Sequence, residues 1–176
     1  GSVIVEVRTE AGDRVQTQHE INAVFATYYE SLYAEPTAVA PTDLEGFLVS
    51  LPLRKVPLRV AEEMGGFVTA LEILGVLKGM ARGKVAGTDG LPTEFYLTFE
   101  DILIPRLVDV YKAAWESRRL PASLTTALMV ALPKKDRDRG SPSSFRPLSM
   151  LNTDYKLLSG VLANRLLTHL PNIIHR

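Results

Sequence analysis

Cysteine is absent from the 176 residues. That excludes disulfide scaffolds, thiolate zinc sites, zinc knuckles, iron–sulfur clusters and cysteine nucleophiles together. Histidine occurs three times, as His19, His169 and His175, with no metal-ligand spacing to carboxylates. No Gly-x-Ser-x-Gly elbow marks a serine nucleophile. No two aspartates are adjacent. No apolar run nears the roughly 18 residues of a membrane span, and no secretory leader pattern is visible, so no membrane partner is expected.

Apolar residues make up 46% and charged residues 23%. These proportions exclude a wholly disordered chain, a collagen and a coiled-coil rod, and at about 150 residues per domain they predict one domain with an appended segment. Formal net charge is zero, but it is unevenly spread. Residues 1–111 hold 9 Lys+Arg against 16 Asp+Glu, and residues 112–176 hold 11 against 4. A basic C-terminal third suits an anionic partner such as nucleic acid or nucleotide. A solvated basic face accounts for the same count.

Val3-Ile4-Val5-Glu6-Val7 followed by Gly12-Asp13 predicts a strand or hairpin arm. Ile21, Phe25, Tyr28, Tyr29 and Leu32 recur at helical spacing, predicting a helix over 19–33. Asp43 is placed to cap a short helix over 44–50. Thr69-x-x-Glu72 is a capping-box pattern, predicting a helix over 70–81. Residues 83–90 cannot continue it, with three glycines. A short helix then begins near Pro92, and a long one follows over 101–118 with Pro105 in its first turn. Residues 124–133 read as a buried strand, 134–144 as a polar loop and 145–149 as a returning strand. Asn152 is placed to cap a last helix over 153–169, whose apolar face is Leu157, Leu158, Val161, Leu162, Leu166 and Leu170. Helices, then a hairpin, then a helix make an α+β pattern.

Lys84 fails as a phosphate-loop lysine. Gly79 lies one residue too close to Gly83-Lys84, and Val85 stands where Ser or Thr must hold magnesium. A tight turn between helices is the plainer reading. Asp89, between Thr88 and Gly90, reads as a turn aspartate. Asp154 falls in a first helical turn, where a carboxylate offsets the helix dipole. The hairpin differs. Lys134, Lys135, Arg137 and Arg139 crowd a loop that Asp136 and Asp138 only partly offset. If the strands pair, Lys134 and Arg146 share one end of the ribbon, where a point charge and a planar fork suit a triphosphate. The outer cations suit a sugar-phosphate backbone. A solvated loop with mutually neutralising charges is the alternative.

The tract LPKK…SFRPLSMLNTDYKLLSGVLANRL (Leu132 to Leu166) resembles the fingers region of reverse transcriptases of non-LTR (LINE-type) retrotransposons. Gly83 to Tyr96 and Arg118 to Lys135 are similar to the family's upstream segments, in order and at compatible spacing. Residues 20–34 resemble its linker between endonuclease and polymerase. The resemblance implies a linker region over 1–64 and a partial reverse transcriptase domain over 65–176. It implies an incomplete right-hand polymerase fold: a mainly helical start, a fingers β-hairpin and a long helix.

By the same resemblance, Lys134 and Arg146 hold the incoming deoxynucleotide triphosphate, and Lys135, Arg137 and Arg139 face template RNA. Asn152, Tyr155, Lys156, Asn164 and Arg165 match positions that are structural or template-side. Gly160 stands where a longer side chain is common, a departure expected to loosen local packing. The implied partners are RNA template, DNA primer and deoxynucleotides. The implied location is a cytoplasmic ribonucleoprotein and the nucleus. The intact enzyme uses Mg2+ held by palm aspartates that follow the fingers. The chain ends at Arg176 before them, so no catalytic or metal-binding residue is expected here, and the fragment is expected not to polymerise alone. The alternative function is a non-catalytic remnant that binds RNA or single-stranded DNA.

Overall fold

The computed structural model describes residues 4–34, 41–50 and 56–173. They form a mixed α+β fold, mostly helical, with two small two-stranded antiparallel sheets. The chain divides into two compact units. The first is Gly1–Leu51 with Met129–Leu148, and the second is Pro52–Leu128 with Ser149–Arg176.

In the first unit, β1 (Val7–Arg8) pairs antiparallel with β2 (Arg14–Val15), Val7 opposite Val15 and Arg8 opposite Arg14. The expected arm is present but sits later than 3–7, and Val3 lies outside the described residues. The turn explains the shift. Thr9 N–H donates to Asp13 O at 2.8 Å and Gly12 N–H to Thr9 O at 3.0 Å, so pairing starts from Arg8 backwards. Gly12 takes φ 93°, which a residue without Cβ adopts freely.

Helix α1 (Gln18–Leu32) opens with a capping box. Thr17 Oγ1 accepts from Glu20 N–H, and the Glu20 carboxylate accepts from Thr17 N–H. Ile21, Phe25 and Tyr29 recur every four residues and bury one stripe against Val7 and Phe145. The Phe25 and Phe145 rings meet edge-on, 5.1 Å between centroids. Helix α2 (Pro41–Ser50) starts earlier than its expected cap, so Asp43 falls inside its first turn; proline is pre-organised for that opening position.

The second unit contains α3 (Leu58–Met64), α4 (Ala70–Gly79), α5 (Thr93–Thr98), α6 (Glu100–Ser117), α7 (Ala122–Thr125) and α8 (Thr153–Ile173). The capping box of α4 forms as its sequence predicts, with Glu72 N–H donating to Thr69 Oγ1 at 3.3 Å and Thr69 N–H to Glu72 Oε2 at 2.9 Å. Ile73 and Leu77 of α4 pack with Leu157 and Val161 of α8, around Tyr96, Ile104, Tyr111 and Leu124. Phe99 ends α5 and begins α6, so α6 starts at Glu100. Pro105 therefore lies beyond the first turn, where it withholds the amide that Asp101 O would accept from.

Gly160 corrects an expectation. A Cβ built on it would lie 2.6 Å from Val76 Cγ1. The absent side chain lets α8 lie close on α4, so the departure tightens this contact rather than loosening it.

The hairpin strands are β3 (Ala127–Pro133) and β4 (Phe145–Leu151). The buried strand expected from residue 124 begins only at 127, because Ala122–Thr125 form a helical turn instead. None of the strand's residues is buried: Leu128, Met129 and Leu132 are exposed, since a two-stranded ribbon leaves much of its surface uncovered. The hydroxyls of Thr125 and Thr126 both donate to Ala122 O, at 3.1 and 2.9 Å, and such local bonds compete with a strand ladder. Among the described residues no helix is long and apolar enough to cross a membrane.

Candidate nucleic-acid interface

The hairpin end is fixed by backbone bonds. Lys134 N–H donates to Ser144 O at 2.8 Å, and Ser144 N–H to Ser141 O at 3.0 Å. Successive side chains of a strand point to opposite faces. Phe145 is buried and Arg146, the next residue of β4, is exposed, so the arginine projects from the face opposite Phe145. At about 3.3 Å per residue, Arg146 begins roughly 7 Å along the strand from the residue bonded to Lys134. Both cations thus stand at the loop end of the ribbon. The Lys134 ammonium is turned onto its own loop, donating to Ser143 O at 2.7 Å.

Lys135, Arg137 and Arg139 are exposed. Among the described residues none of these three, nor Lys134 or Arg146, has a carboxylate partner. The loop's two aspartates behave differently. Asp136 takes φ 57°, a left-handed conformation that aspartate tolerates. Asp138 accepts from Gly140 N–H at 2.9 Å and forms an ion pair with Arg8 of β1. One loop carboxylate is therefore spent on the N-terminal arm and does not offset its neighbours.

In the second unit, Asn152 does not cap α8. Its Oδ1 accepts from Asp89 N–H at 3.3 Å and from Thr88 Oγ1 at 3.2 Å, while its Nδ2 donates to Ser123 O at 3.1 Å. The side chain joins three segments and is buried. The turn at 87–90 passes directly over it: a Cβ on Gly87 would lie 2.6 Å from Asn152 N and 2.7 Å from its Cα. Asp89 Oδ1 accepts from Leu91 N–H at 3.0 Å, the turn role its position predicts.

Arg165 is also structural. Its Nε and Nη2 donate to the two oxygens of Glu72 at 2.6 and 2.8 Å. The same guanidinium donates to the carbonyls of Met64, Gly66 and Phe67 at 3.0, 2.6 and 2.9 Å. All its bonding directions are used, and none is left for template. The Arg165 guanidinium holds the Glu72 carboxyl down at about 2, helped by the Thr69 cap and opposed by burial.

Asp154 falls in the first turn of α8, as its position predicts. Burial is the largest influence and raises its pKa, with the Tyr155 N–H pulling the other way. Burial, with the charges of Asp154 and Asp89, pushes Tyr96 up to about 12. Tyr111 OH donates to Asp154 O at 2.6 Å. Among the described residues no three His, Cys, Asp or Glu side chains are grouped so that they could hold a metal ion, so they do not present the converging carboxylates that a two-metal magnesium site needs.

No protein-family model matches the chain. Over 166 residues it is 31% identical to the "Transposon TX1 uncharacterized 149 kDa protein" of Xenopus laevis, covering 94% of this chain and 12% of that protein. Over 162 residues it is 24% identical to the "Probable RNA-directed DNA polymerase from transposon BS" of Drosophila melanogaster, covering 92% of this chain and 17% of that one. The chain is thus similar to transposon proteins along almost its whole length, and spans less than a fifth of each.

Proposed function

We propose that this chain is the template- and nucleotide-contacting portion of an RNA-directed DNA polymerase of a LINE-type element, and that by itself it binds without catalysing. The observation that carries the reading is the hairpin end, where Lys135, Arg137, Arg139 and Arg146 are exposed without carboxylate partners among the described residues. Similarity to two transposon proteins, one of them described as a polymerase, supports it.

The chemistry follows from the side chains. Arg146 offers two parallel N–H groups to phosphate oxygens. Lys134 adds a mobile ammonium once it leaves Ser143 O. Lys135, Arg137 and Arg139 meet the sugar-phosphate backbone, which positions a strand without reading its sequence. Phosphoryl transfer needs metal-holding carboxylates that the described residues do not bring together, so no chemical step is assigned to them.

Two measurements test this. Primer extension by the chain with Mg2+ and deoxynucleotides stays at background, and clear incorporation refutes the assignment. Binding to single-stranded RNA weakens with salt at a slope of about 0.7 per phosphate contact. Three loop contacts then cost about 20-fold in affinity between 50 and 200 mM salt. The triple variant Lys135→Ala, Arg137→Ala, Arg139→Ala lowers the slope by about 2. A flat salt response in the unaltered chain rejects the reading.

A further inference from the structure

The basic loop is not self-contained. Arg8 N–H of β1 donates to Gly140 O at 2.8 Å. The Arg8 guanidinium pairs with the Asp138 carboxylate, and that carboxylate also accepts from Gly140 N–H at 2.9 Å. Gly140 completes the fit. A Cβ there would lie 2.9 Å from Arg8 Nη2 and 3.0 Å from Nε, so a side chain at this position would push the guanidinium out of its present place. The backbone of Gly140 is not left-handed, so space and not conformation accounts for the glycine.

The geometry points to Arg8 as a positioning residue: it latches the loop tip to the N-terminal arm and neutralises Asp138, holding Lys135, Arg137 and Arg139 presented to a phosphate backbone. This rests on the RNA-binding reading above for its ligand. The physical argument is pre-organisation. An exposed ion pair alone contributes little to stability. Here one residue supplies a main-chain bond, a charge pair and a packing contact to the same turn. A loop ordered before binding loses less freedom when the strand arrives. Neutralising Asp138 also removes a repulsion that phosphates would otherwise meet.

Gly140→Ala separates this role from direct contact, because it displaces a flexible guanidinium without changing any charge. In the full chain without ligand, amide exchange by NMR at Arg8, Gly140 and Ser141 is expected to rise about fivefold or more, the loss of one net hydrogen bond. Fluorescence anisotropy with a labelled single-stranded oligouridylate is expected to show three- to tenfold weaker binding at an unchanged salt slope. Arg8→Ala should weaken binding alike, again without changing the slope, and Arg8→Lys should restore it in part.

Unchanged exchange in Gly140→Ala overturns the latch, whatever the RNA does. Faster exchange with unchanged affinity overturns its role in binding. A slope reduced by about 0.7 in Arg8→Ala shows that Arg8 touches phosphate itself and overturns positioning. If the unaltered chain binds no RNA, the function proposed above fails and the latch's ligand role with it, while the exchange data still decide whether the latch exists.

Discussion

Removing the Arg165 guanidinium should unfold the second unit more readily than any other single polar substitution there. Arg165 is 12% exposed and its partner Glu72 is 32% exposed, so the pair is neither fully buried nor a surface bridge. Five acceptors depend on it, namely both Glu72 oxygens and three main-chain carbonyls. Breaking a fully buried pair costs about 3–5 kcal/mol. Solvent screening at Glu72 lowers that, so Arg165→Met is expected to cost about 3 kcal/mol, and Arg165→Lys about 2, because an ammonium cannot reproduce the fork. Trp115 on α6 is the only tryptophan and lies in this unit, so its fluorescence reports the transition in urea. With m near 2 kcal/mol/M, the Arg165→Met midpoint falls by about 1.5 M. Glu72→Gln keeps the capping-box geometry and removes the charge. The double-mutant cycle with Arg165→Met should give a coupling of about 1–3 kcal/mol at pH 7. Its pH dependence has a definite sign. The folded-state pKa of Glu72 is depressed from 4.5 to about 2, so this stability is complete above 4.5 and is lost as pH falls through 2. A coupling below about 0.5 kcal/mol at pH 7, or one that does not decline between pH 5 and 2, refutes the account.

Gly87→Ala should cost several kcal/mol in the same urea assay, since its Cβ would meet the Asn152 backbone, which cannot swing aside; a loss under about 1 kcal/mol shows that the turn can move. Gly160→Leu should cost about 1–3 kcal/mol through overpacking against Val76, and a stabilised variant would mean the helices have room to separate. Asp154→Asn should be neutral or stabilising at pH 7 and should flatten the pH dependence above the ordinary Asp range. Its folded-state pKa is raised, so its stability is present at low pH and is lost as the group ionises; a large destabilisation at pH 7 contradicts this.

Local chemistry made much of the fold legible in the sequence. The Thr69–Glu72 box and the Ile21–Phe25–Tyr29 spacing specify their helices without help from distant residues, and both form where expected. The misses occur where a local rule meets a competing local bond. Thr125 and Thr126 are good strand residues, but their hydroxyls bond back to Ala122 and turn the chain instead. Asn152 stands where a cap is preferred, but Thr88 and Asp89 claim its side chain from more than 60 residues away. A short helix such as α3 has too few periodic positions to announce itself; no residue of it is buried, and its last carbonyl is held by Arg165.

The candidate site divides along the same line. A cluster of cations in a Gly- and Pro-punctuated loop is a local property, so Lys134, Lys135, Arg137, Arg139 and Arg146 could be singled out by composition and spacing. What sets their availability is non-local. Asp138 would cancel one of its two arginine neighbours in any count of sequence charge, yet its carboxylate is engaged by Arg8, 130 residues earlier. Arg165 shows the converse. It counts as one more cation in the basic third, but Glu72 and three carbonyls consume it. Charge in a sequence therefore measures nucleic-acid affinity only after these long-range pairings are subtracted. Among the described residues Arg82, Lys84, Arg106, Lys112, Arg118, Arg119 and Lys156 also lack a carboxylate partner, but the hairpin end gathers Lys134, Lys135, Arg137, Arg139 and Arg146 without one in a single short tract, which is the physical ground of the proposed phosphate contact.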